Sequence, residues 1–338
     1  MPTAANRIPL SVLDLVPRSQ GMTPTEAIEE SVRLAREADE LGYARYWMAE
    51  HHGSETFMSS ATSLLLGHMA HHTERIRLGA GGVMLPNHSP LMVAEYYGTL
   101  ATIHGDRFDL GLGRAPGTDP MTAAALSRSS GHLPDFAAEV AALRGFLGMR
   151  QPGSRVRALP GEGTRVPLWM LGSSTGGAQV AAALGLPFSF ASHFAPDHLR
   201  EALMVYRDRF NADAETAQVD RPTTMAGVNV LVAPTQEEAD HLFTTAQLMA
   251  IRIRSGQPAP LDPPVESLAE VVPPELLPLA QAHQAARAVG TPEVVVERLE
   301  EFAAAHELDE LIVTTYAFDP ELRRRSYRLL AEAWGLRS

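Results

Sequence analysis

Apolar runs and amphipathic segments alternate along the whole chain. Each apolar run predicts a buried strand, and each segment that follows carries apolar residues three or four positions apart, which is the period of a helix. Alternation of this kind is typical of α/β proteins with a parallel sheet. The eight predicted strands are residues 8–15, 43–49, 76–85, 108–114, 166–171, 188–192, 225–233 and 308–315.

Proline marks the start of several predicted helices. Thr23, Pro24 and Glu26 form a capping box with proline at the first helical position. A capping residue followed by proline recurs at 89–90, 291–292 and 319–320. These helix starts support the count of strand–helix units.

Eight such units in 338 residues predict a closed (β/α)8 TIM barrel. The alternative is an open doubly wound sheet, but no G-x-G-x-x-G motif follows the first strand. We expect a single domain, 1–338, with insertions at about 115–165 and 254–290 on the C-terminal face. Within the first insertion only 135–147 has a helical pattern. In the second, seven prolines between residues 256 and 278 oppose regular structure through most of that segment.

Two missing residue types narrow the chemistry. The chain has no cysteine, which excludes disulfides, thiolate catalysis and zinc–sulfur sites. All 28 basic residues are arginine, so Schiff-base chemistry and a Walker-type phosphate loop are excluded. A net charge of −12 argues against a nucleic-acid partner, and Arg323, Arg324 and Arg325 are expected on a solvated helix face. No apolar run is long enough for a membrane span, and no signal-peptide pattern opens the sequence, so we expect a cytoplasmic protein that does not bind membranes.

In a barrel, the carboxyl ends of the strands converge on one face, where enzymes of this fold place their chemistry. The residues gathered there by the predicted topology are Asp14, Glu50, His51, His52, residues 81–88, Arg114, Ser173, Ser174, His193 and Tyr316. A histidine in the Glu50-His51-His52 triplet could move protons near neutral pH, with Glu50 setting its tautomer. A metal ligand or a buried structural histidine are the alternatives.

A second candidate lies at residues 172–177, Gly-Ser-Ser-Thr-Gly-Gly, between a strand and a helix. Hydroxyls, free backbone amides and the positive end of the helix dipole favour a phosphate, with Arg114 as a charged partner. By contrast, His68, His71 and His72 fall on a helix away from this face. We expect them to be surface or interface residues rather than metal ligands.

Several segments, in order along most of the chain, resemble the bacterial luciferase-like monooxygenase family, in its single-chain group. They are the triplet at 50–52, GAGGVMLP at 79–86, GDRFDLGLGR at 105–114, the serine pair at 173–174 with GLP at 185–187, and VGTPEVVVERL at 289–299. The resemblance implies a barrel that binds reduced FMN at the carboxyl ends of its strands.

Carried onto this sequence, the resemblance implies that Arg114, Ser173 and Ser174 hold the flavin phosphate. It also implies that Gly81 and Gly82 form a non-proline cis peptide supporting the isoalloxazine ring. His51 matches the histidine associated with proton handling beside the flavin. The match fails at Gly113, where luciferase has a cysteine that tunes its peroxyflavin intermediate. The resemblance therefore does not extend to the lifetime of that intermediate or to light emission.

The resemblance leads to one main hypothesis and three alternatives. The main hypothesis is a flavin-dependent monooxygenase in which reduced FMN, supplied by a separate reductase, reacts with O2 to a peroxyflavin that oxidises a small organic substrate. The family also implies a homodimer, and we assign no metal-binding residues. The alternatives are hydride transfer with a deazaflavin coenzyme, a non-catalytic flavin-binding protein, and a metal hydrolase built on the histidines. No motif identifies the substrate.

Overall fold

A closed parallel barrel organises the chain. In the computed structural model, which describes residues 7–115, 117–126, 135–150, 152–281 and 286–336, nine parallel strands form one sheet, and eight of them close into the barrel. The strands are β1 (Leu10–Asp14), β2 (Arg45–Met48), β3 (Arg77–Met84), β4 (Phe108–Gly113), β5 (Leu168–Gly172), β6 (Phe188–Phe190), β7 (Thr224–Val232), β8 (Arg287–Gly290) and β9 (Glu310–Thr314). β1 to β7 follow one another around the barrel, and β9 closes it between β7 and β1. The predicted TIM barrel is confirmed.

Helices follow most strands and cover the outside of the barrel. They are α1 (Pro24–Leu41), α2 (Thr62–Ala70), α3 (Pro90–His104), α4 (Pro120–Leu126), α5 (Phe136–Leu147), α6 (Thr175–Ala183), α7 (Leu199–Asp208), α8 (Gln236–Arg254), α9 (Leu268–Val271), α10 (Pro292–His306) and α11 (Pro320–Trp334). The predicted capping box is present: the Thr23 side chain accepts from the Glu26 amide, and the Glu26 carboxylate accepts from the Thr23 amide. None of the described helices is both long and apolar enough to cross a membrane.

The ninth strand, β8, was not predicted. It pairs with the last four residues of β7, while the preceding residues of β7 pair with β9. β7 therefore pairs with β9 inside the barrel and with β8 at its carboxyl end, and β8 lies outside the closed barrel. Its four residues, Arg-Ala-Val-Gly, are too few to show an alternating pattern, so no strand was predicted there.

Alternate residues of each strand face two different apolar layers, one inside the barrel and one beneath the helices. Leu13, Trp47 and Ile312 belong to a cluster inside the barrel, whereas Val12 and Tyr46, one position away, belong to the larger cluster beneath the helices. Successive side chains of a strand point to opposite faces, so each strand supplies both layers.

Ion pairs fill the amino end of the barrel interior. Arg45 contacts Asp109 at 2.5 Å and Glu310 at 3.0 Å, and Arg77 contacts the other Asp109 oxygen at 2.8 Å. The Trp47 indole N–H also donates to Asp109, at 3.2 Å. This end is therefore closed, which leaves the carboxyl ends of the strands for a binding site.

Asp14 does not lie at the open face, contrary to the sequence prediction. It follows the inward-facing Leu13, so its carboxylate points outward, where it is fully buried and accepts from the Arg323 guanidinium at 2.6 Å. Arg323 is also buried, so its expected place on a solvated helix face was wrong. Burial opposes ionisation of Asp14, but the charge of Arg323 and hydrogen bonds hold its pKa below the ordinary value.

Both insertions contain more helix than predicted. α4 was missed in the first, and α9 and a 3-10 helix at Pro274–Gln281 occupy part of the proline-rich segment of the second. The 3-10 helix contains Pro278, which a short 3-10 turn tolerates better than the interior of an α-helix. Residues 116, 127–134 and 151 of the first insertion, and 282–285 of the second, lie outside the described residues.

The Asp14–Arg323 pair predicts a large stability effect. Replacing Arg323 by methionine leaves a buried carboxylate uncompensated, so Arg323→Met should lower the free energy of unfolding by about 3 to 5 kcal/mol. Urea denaturation at pH 7.5 measures it. Arg36→Met, on an exposed arginine of α1, is the control and should change the value by less than about 0.5 kcal/mol.

The pH dependence has a fixed sign. Because the pKa of Asp14 is lowered on folding, the stabilisation is complete above the unfolded pKa of about 3.9 and is lost as pH falls through the folded pKa. Wild type should therefore keep this stabilisation until strong acid. In Arg323→Met burial raises the pKa of Asp14, so the carboxyl takes up a proton at higher pH and the difference between the two proteins should begin to shrink before wild type itself is affected. Equal stabilities at pH 7.5 would contradict this account of the pair.

Candidate active site

A cavity of about 680 Å³ opens at the carboxyl ends of the barrel strands. Its volume is within the range of small-molecule and cofactor sites. The predicted residues that line it are His51, His52, Gly81, Met84, Arg114, Ser173, Ser174, His193 and Tyr316. Parts of both insertions, at 117–119 and at Pro258 and Ala280, line it as well. The predicted topology thus brings most of its candidate residues into one space.

Glycines at the end of β3 form one wall. The Gly81–Gly82 peptide is cis, as the resemblance implied, and the register of β3 against β4 shifts between Ala80 and Val83. A Cβ on Gly82 would lie 2.6 Å from the Gly111 carbonyl oxygen, and one on Gly81 would lie 3.0 Å from Leu13. Only glycine fits at Gly82, between the two strands, and Gly81 brings bare backbone to the cavity edge.

Arg114 and the turn that carries Ser173 and Ser174, called the serine turn below, form a second wall of the cavity. A Cβ on Gly176 would lie 3.1 Å from Nη2 of Arg114, so the guanidinium lies against the first turn of α6. Ser174 is the N-cap of α6, yet its side chain makes no capping hydrogen bond. In the described part of the chain, Arg114 has neither an ion pair nor a hydrogen bond. An arginine, two hydroxyls and the amides of a helix start are therefore available to an anion.

His51 lines the cavity with its ring 5.2 Å from that of Phe57. Its Nδ1 is covered and has no hydrogen-bond partner among the residues that the structure describes. Burial lowers the pKa of His51 to about 4, although the charge of Glu50 acts in the opposite direction. The imidazole is therefore neutral near pH 7.

The sequence analysis expected Glu50 to set the tautomer of His51, but the Glu50 carboxylate has other partners. Its Oε1 lies 2.8 Å from Nε2 of both His52 and His88, and its Oε2 accepts from the Met84 amide at 3.3 Å. The carboxylate is buried, which opposes ionisation, but hydrogen bonds and charge from His88 and His52 hold its pKa below the ordinary value. Glu50 therefore ties the end of β2 to the end of β3, behind the cavity wall.

The same three side chains are the candidate metal ligands of the described chain. Each of Glu50, His52 and His88 offers one ligand atom, and these three atoms lie within 4.8 Å of one another. The two 2.8 Å contacts to Oε1 are hydrogen-bond distances, and a metal ion would have to replace both. His68, His71 and His72 are exposed on or just after α2, as expected.

Met84, within the predicted stretch 81–88, lies beside Gly113, where a Cβ would come within 2.7 Å of its sulfur, so a thioether fills the space next to this glycine. Two cavity residues were missed from the sequence, Phe243 from α8 and Arg287 from β8. Phe243 carries no signal beyond its helical period, and the Arg287 position became visible only with the unpredicted strand.

Known proteins resemble this chain in both sequence and structure. The chain is 44% identical over 328 residues to the uncharacterized protein YvbT of Bacillus subtilis (strain 168), covering 96% of each. It is 42% identical over 323 residues to a luciferase-like monooxygenase of Escherichia coli (strain K12), covering 95% of this chain and 96% of that one. The crystal structure of apo-MsnO8 superimposes with a TM-score of 0.90 at 36% identity, over 98% of this chain and 99% of the other.

More distant solved structures share the fold alone. The oxygenating constituent of 3,6-diketocamphane monooxygenase from Pseudomonas putida, solved with FMN, has a TM-score of 0.70 at 16% identity, over 96% of this chain and 97% of that one. An F420-dependent secondary alcohol dehydrogenase has a TM-score of 0.69 at 13% identity, over 98% of this chain and all of the other. The luciferase-like monooxygenase family matches residues 9–306. This match, together with the relatives above 40% identity, establishes that the chain belongs to the luciferase-like monooxygenase family.

Proposed function

We propose that this protein is an FMN-dependent monooxygenase that uses O2 to oxidise a small organic substrate. The observation that carries the proposal is the convergence of three features on one cavity: the bare backbone at Gly81, the wall formed by Arg114 with Ser173 and Ser174, and the neutral His51 beside Phe57. Family membership supports the reaction class, and the site supports the cofactor.

The residues present fit a flavin mononucleotide. Arg114, Ser173 and Ser174, with the free amides at the start of α6, would hold its phosphate. The glycine wall at Gly81 and Gly82 leaves backbone at the cavity edge, where a flat ring system can lie. The covered Nδ1 of His51 has no hydrogen-bond partner in the described chain and is a further polar group consistent with a bound ligand.

Reduced FMN, when bound, supplies the electrons that activate O2. The protein's own contribution is to bind the phosphate, orient the ring and keep water away. Leu13, Phe57 and Tyr316 give the cavity apolar walls for the last purpose. His51, neutral near pH 7, holds or accepts a proton beside the reacting groups.

The proposal includes a separate flavin reductase, because no nicotinamide-binding motif was found in the sequence. For the substrate, one curated relative gives a chemical starting point: the N-acetyl-S-alkylcysteine monooxygenase of Bacillus subtilis (strain 168) is 29% identical over 334 residues. We therefore take an N-acetyl-S-alkylcysteine as the first thioether probe. The deazaflavin alternative shares this fold, so direct titration with both coenzymes separates the two.

Replacing His51 should stop oxygenation without preventing flavin binding. In single-turnover reactions with reduced FMN, O2 and the thioether probe, His51→Gln should form product at least about 100-fold more slowly, because general acid–base groups contribute about 10² to 10⁴ in rate. Product is measured by mass spectrometry, and FMN affinity by flavin fluorescence.

His198→Gln, on an exposed histidine before α7, is the matched control and should behave as wild type. Undiminished oxygenation by His51→Gln would contradict the assigned role. Flavin binding with no product from wild type on any thioether, aldehyde or ketone probe would favour a non-catalytic flavin-binding protein.

The pKa of His51 can be measured directly. Because burial lowers it to about 4, the imidazole should stay neutral from pH 8 down to about pH 5 and become charged only below that. In NMR spectra of histidine-labelled protein, the signal missing from His51→Gln should show no titration near pH 6.5. An inflection at pH 6.5 would mean that His51 titrates like an exposed histidine.

We also propose a homodimer formed through α2 and α3. Large apolar side chains are exposed on these two adjacent helices, with Leu64 75% and Ile103 64% exposed, and Met92 and Tyr96 close to half exposed. Helix α2 packs on α3 through Gly67 and Leu100, so these residues belong to one rigid surface. Several large exposed apolar side chains on two packed helices favour an interface there.

Two charges should separate the dimer. Leu64→Glu with Ile103→Glu should convert a dimer into a monomer at micromolar concentration in sedimentation velocity, because each buries a carboxylate in the interface. Met204→Glu, on an exposed methionine of α7, is the control and should remain dimeric. A monomeric wild type, or a dimeric double variant, would contradict the proposal.

A further inference from the structure

Arg287 is an arginine inside the cavity that the proposed flavin site does not use. It is the first residue of β8, lines the cavity and is partly buried. Its guanidinium carbon lies 5.1 Å from the centre of the Phe243 ring, a cation–π contact that fixes the side chain. In the chain that the structure describes, its guanidinium makes no hydrogen bond and has no carboxylate within 4.0 Å.

The electrostatic setting of Arg287 is unusual for a partly buried arginine. Burial lowers its pKa, and the nearby charge of Asp240 offsets only part of this. Asp240 itself is exposed and forms no ion pair with Arg287. Partly buried cations are normally paired, because an unpaired one loses hydration without compensation. An anion arriving in the cavity would supply the missing partner.

Arg287 lies on a different part of the cavity rim from the proposed phosphate wall. Arg114 and the serine turn follow β4 and β5, whereas Arg287 begins β8, which pairs with β7 two strands further around the barrel. Apolar residues of α8, among them Ala246, Met249 and Ile253, line the cavity near this side. The cavity therefore offers a cation beside an apolar wall, apart from the flavin phosphate residues.

We propose that Arg287 binds the carboxylate of the organic substrate, so that the enzyme selects small amphipathic monoanions. The planar guanidinium, in contact with the Phe243 ring, presents paired N–H donors that suit a carboxylate. The apolar residues of α8 would cover the rest of the substrate. This inference rests on the proposed monooxygenase function, because only that function makes the bound anion a substrate. Binding of the anion itself can be tested without turnover.

Octanoate and octanamide are the probes, because they differ only in the charged group. Isothermal titration calorimetry at pH 7.5, with oxidised FMN present and absent, should give at least tenfold tighter binding of octanoate to wild type. The preference should weaken with added salt. Arg287→Met should abolish it and leave FMN affinity within about twofold. Arg287→Lys should keep part of it, because the charge remains without the paired donors.

Arg298→Met is the matched control. Arg298 donates to the Val289 carbonyl from α10, so this variant removes the same charge from the neighbourhood of β8 without touching the cavity lining. It should retain the octanoate preference. Phe243→Leu, which removes only the ring under the guanidinium, should reduce the preference by about two- to tenfold. If Arg287→Met does not fold, Arg287→Lys and Phe243→Leu still carry the test.

Three outcomes would overturn the proposal. Equal affinity of wild type for octanoate and octanamide would show that no anion site exists. A preference retained in Arg287→Met would assign it to another cation. Loss of FMN affinity in Arg287→Met, with octanoate binding unchanged, would assign Arg287 to the flavin phosphate. Failure of the proposed function looks different, because wild type would then bind no FMN while the octanoate preference could still be present.

Discussion

The close backbone contact between β3 and β4 is the constraint on which the site depends. A Cβ on Gly111 would lie 2.3 Å from the Ala80 carbonyl oxygen, and one on Gly82 would lie 2.6 Å from that of Gly111. No side chain fits between the strands at these positions. Their amino ends are joined differently, by the Arg77–Asp109 ion pair. The same two strands thus help to close one end of the barrel and give the cavity a wall of bare backbone.

The two ends of the barrel differ in how their charged side chains are paired, and this difference indicates at which end ligands bind. Charged groups and Trp47 fill the interior near the amino ends of the strands, where each carboxylate has an arginine partner. At the carboxyl ends Arg114 and Arg287 have no such partner in the described chain. Cations that are paired at one end and unpaired at the other indicate that anionic ligands enter from the carboxyl end. A flavin phosphate and a substrate carboxylate, at separate parts of the rim, would account for both.

Much of this could be predicted from the sequence, and the exceptions have physical causes. The barrel followed from the alternation of strands and helices, and most rim residues followed from topology. Asp14 was misplaced because one step along a strand moves a side chain from the interior to the outer layer. The partners of Glu50 could not be predicted, because His88 is 38 residues away and the contact depends on how β3 ends. Arg287 was missed because β8 is too short to produce a pattern.

The most direct test of the central claim is an equilibrium titration of the wild type and Arg114→Ala with FMN, in both redox states, and with a deazaflavin coenzyme. The account predicts that wild type binds FMN and that Arg114→Ala binds it at least about tenfold more weakly, because a charge-assisted hydrogen bond contributes about 1.5 to 3 kcal/mol. Binding of the deazaflavin alone, or equal FMN affinity of the two proteins, would contradict it.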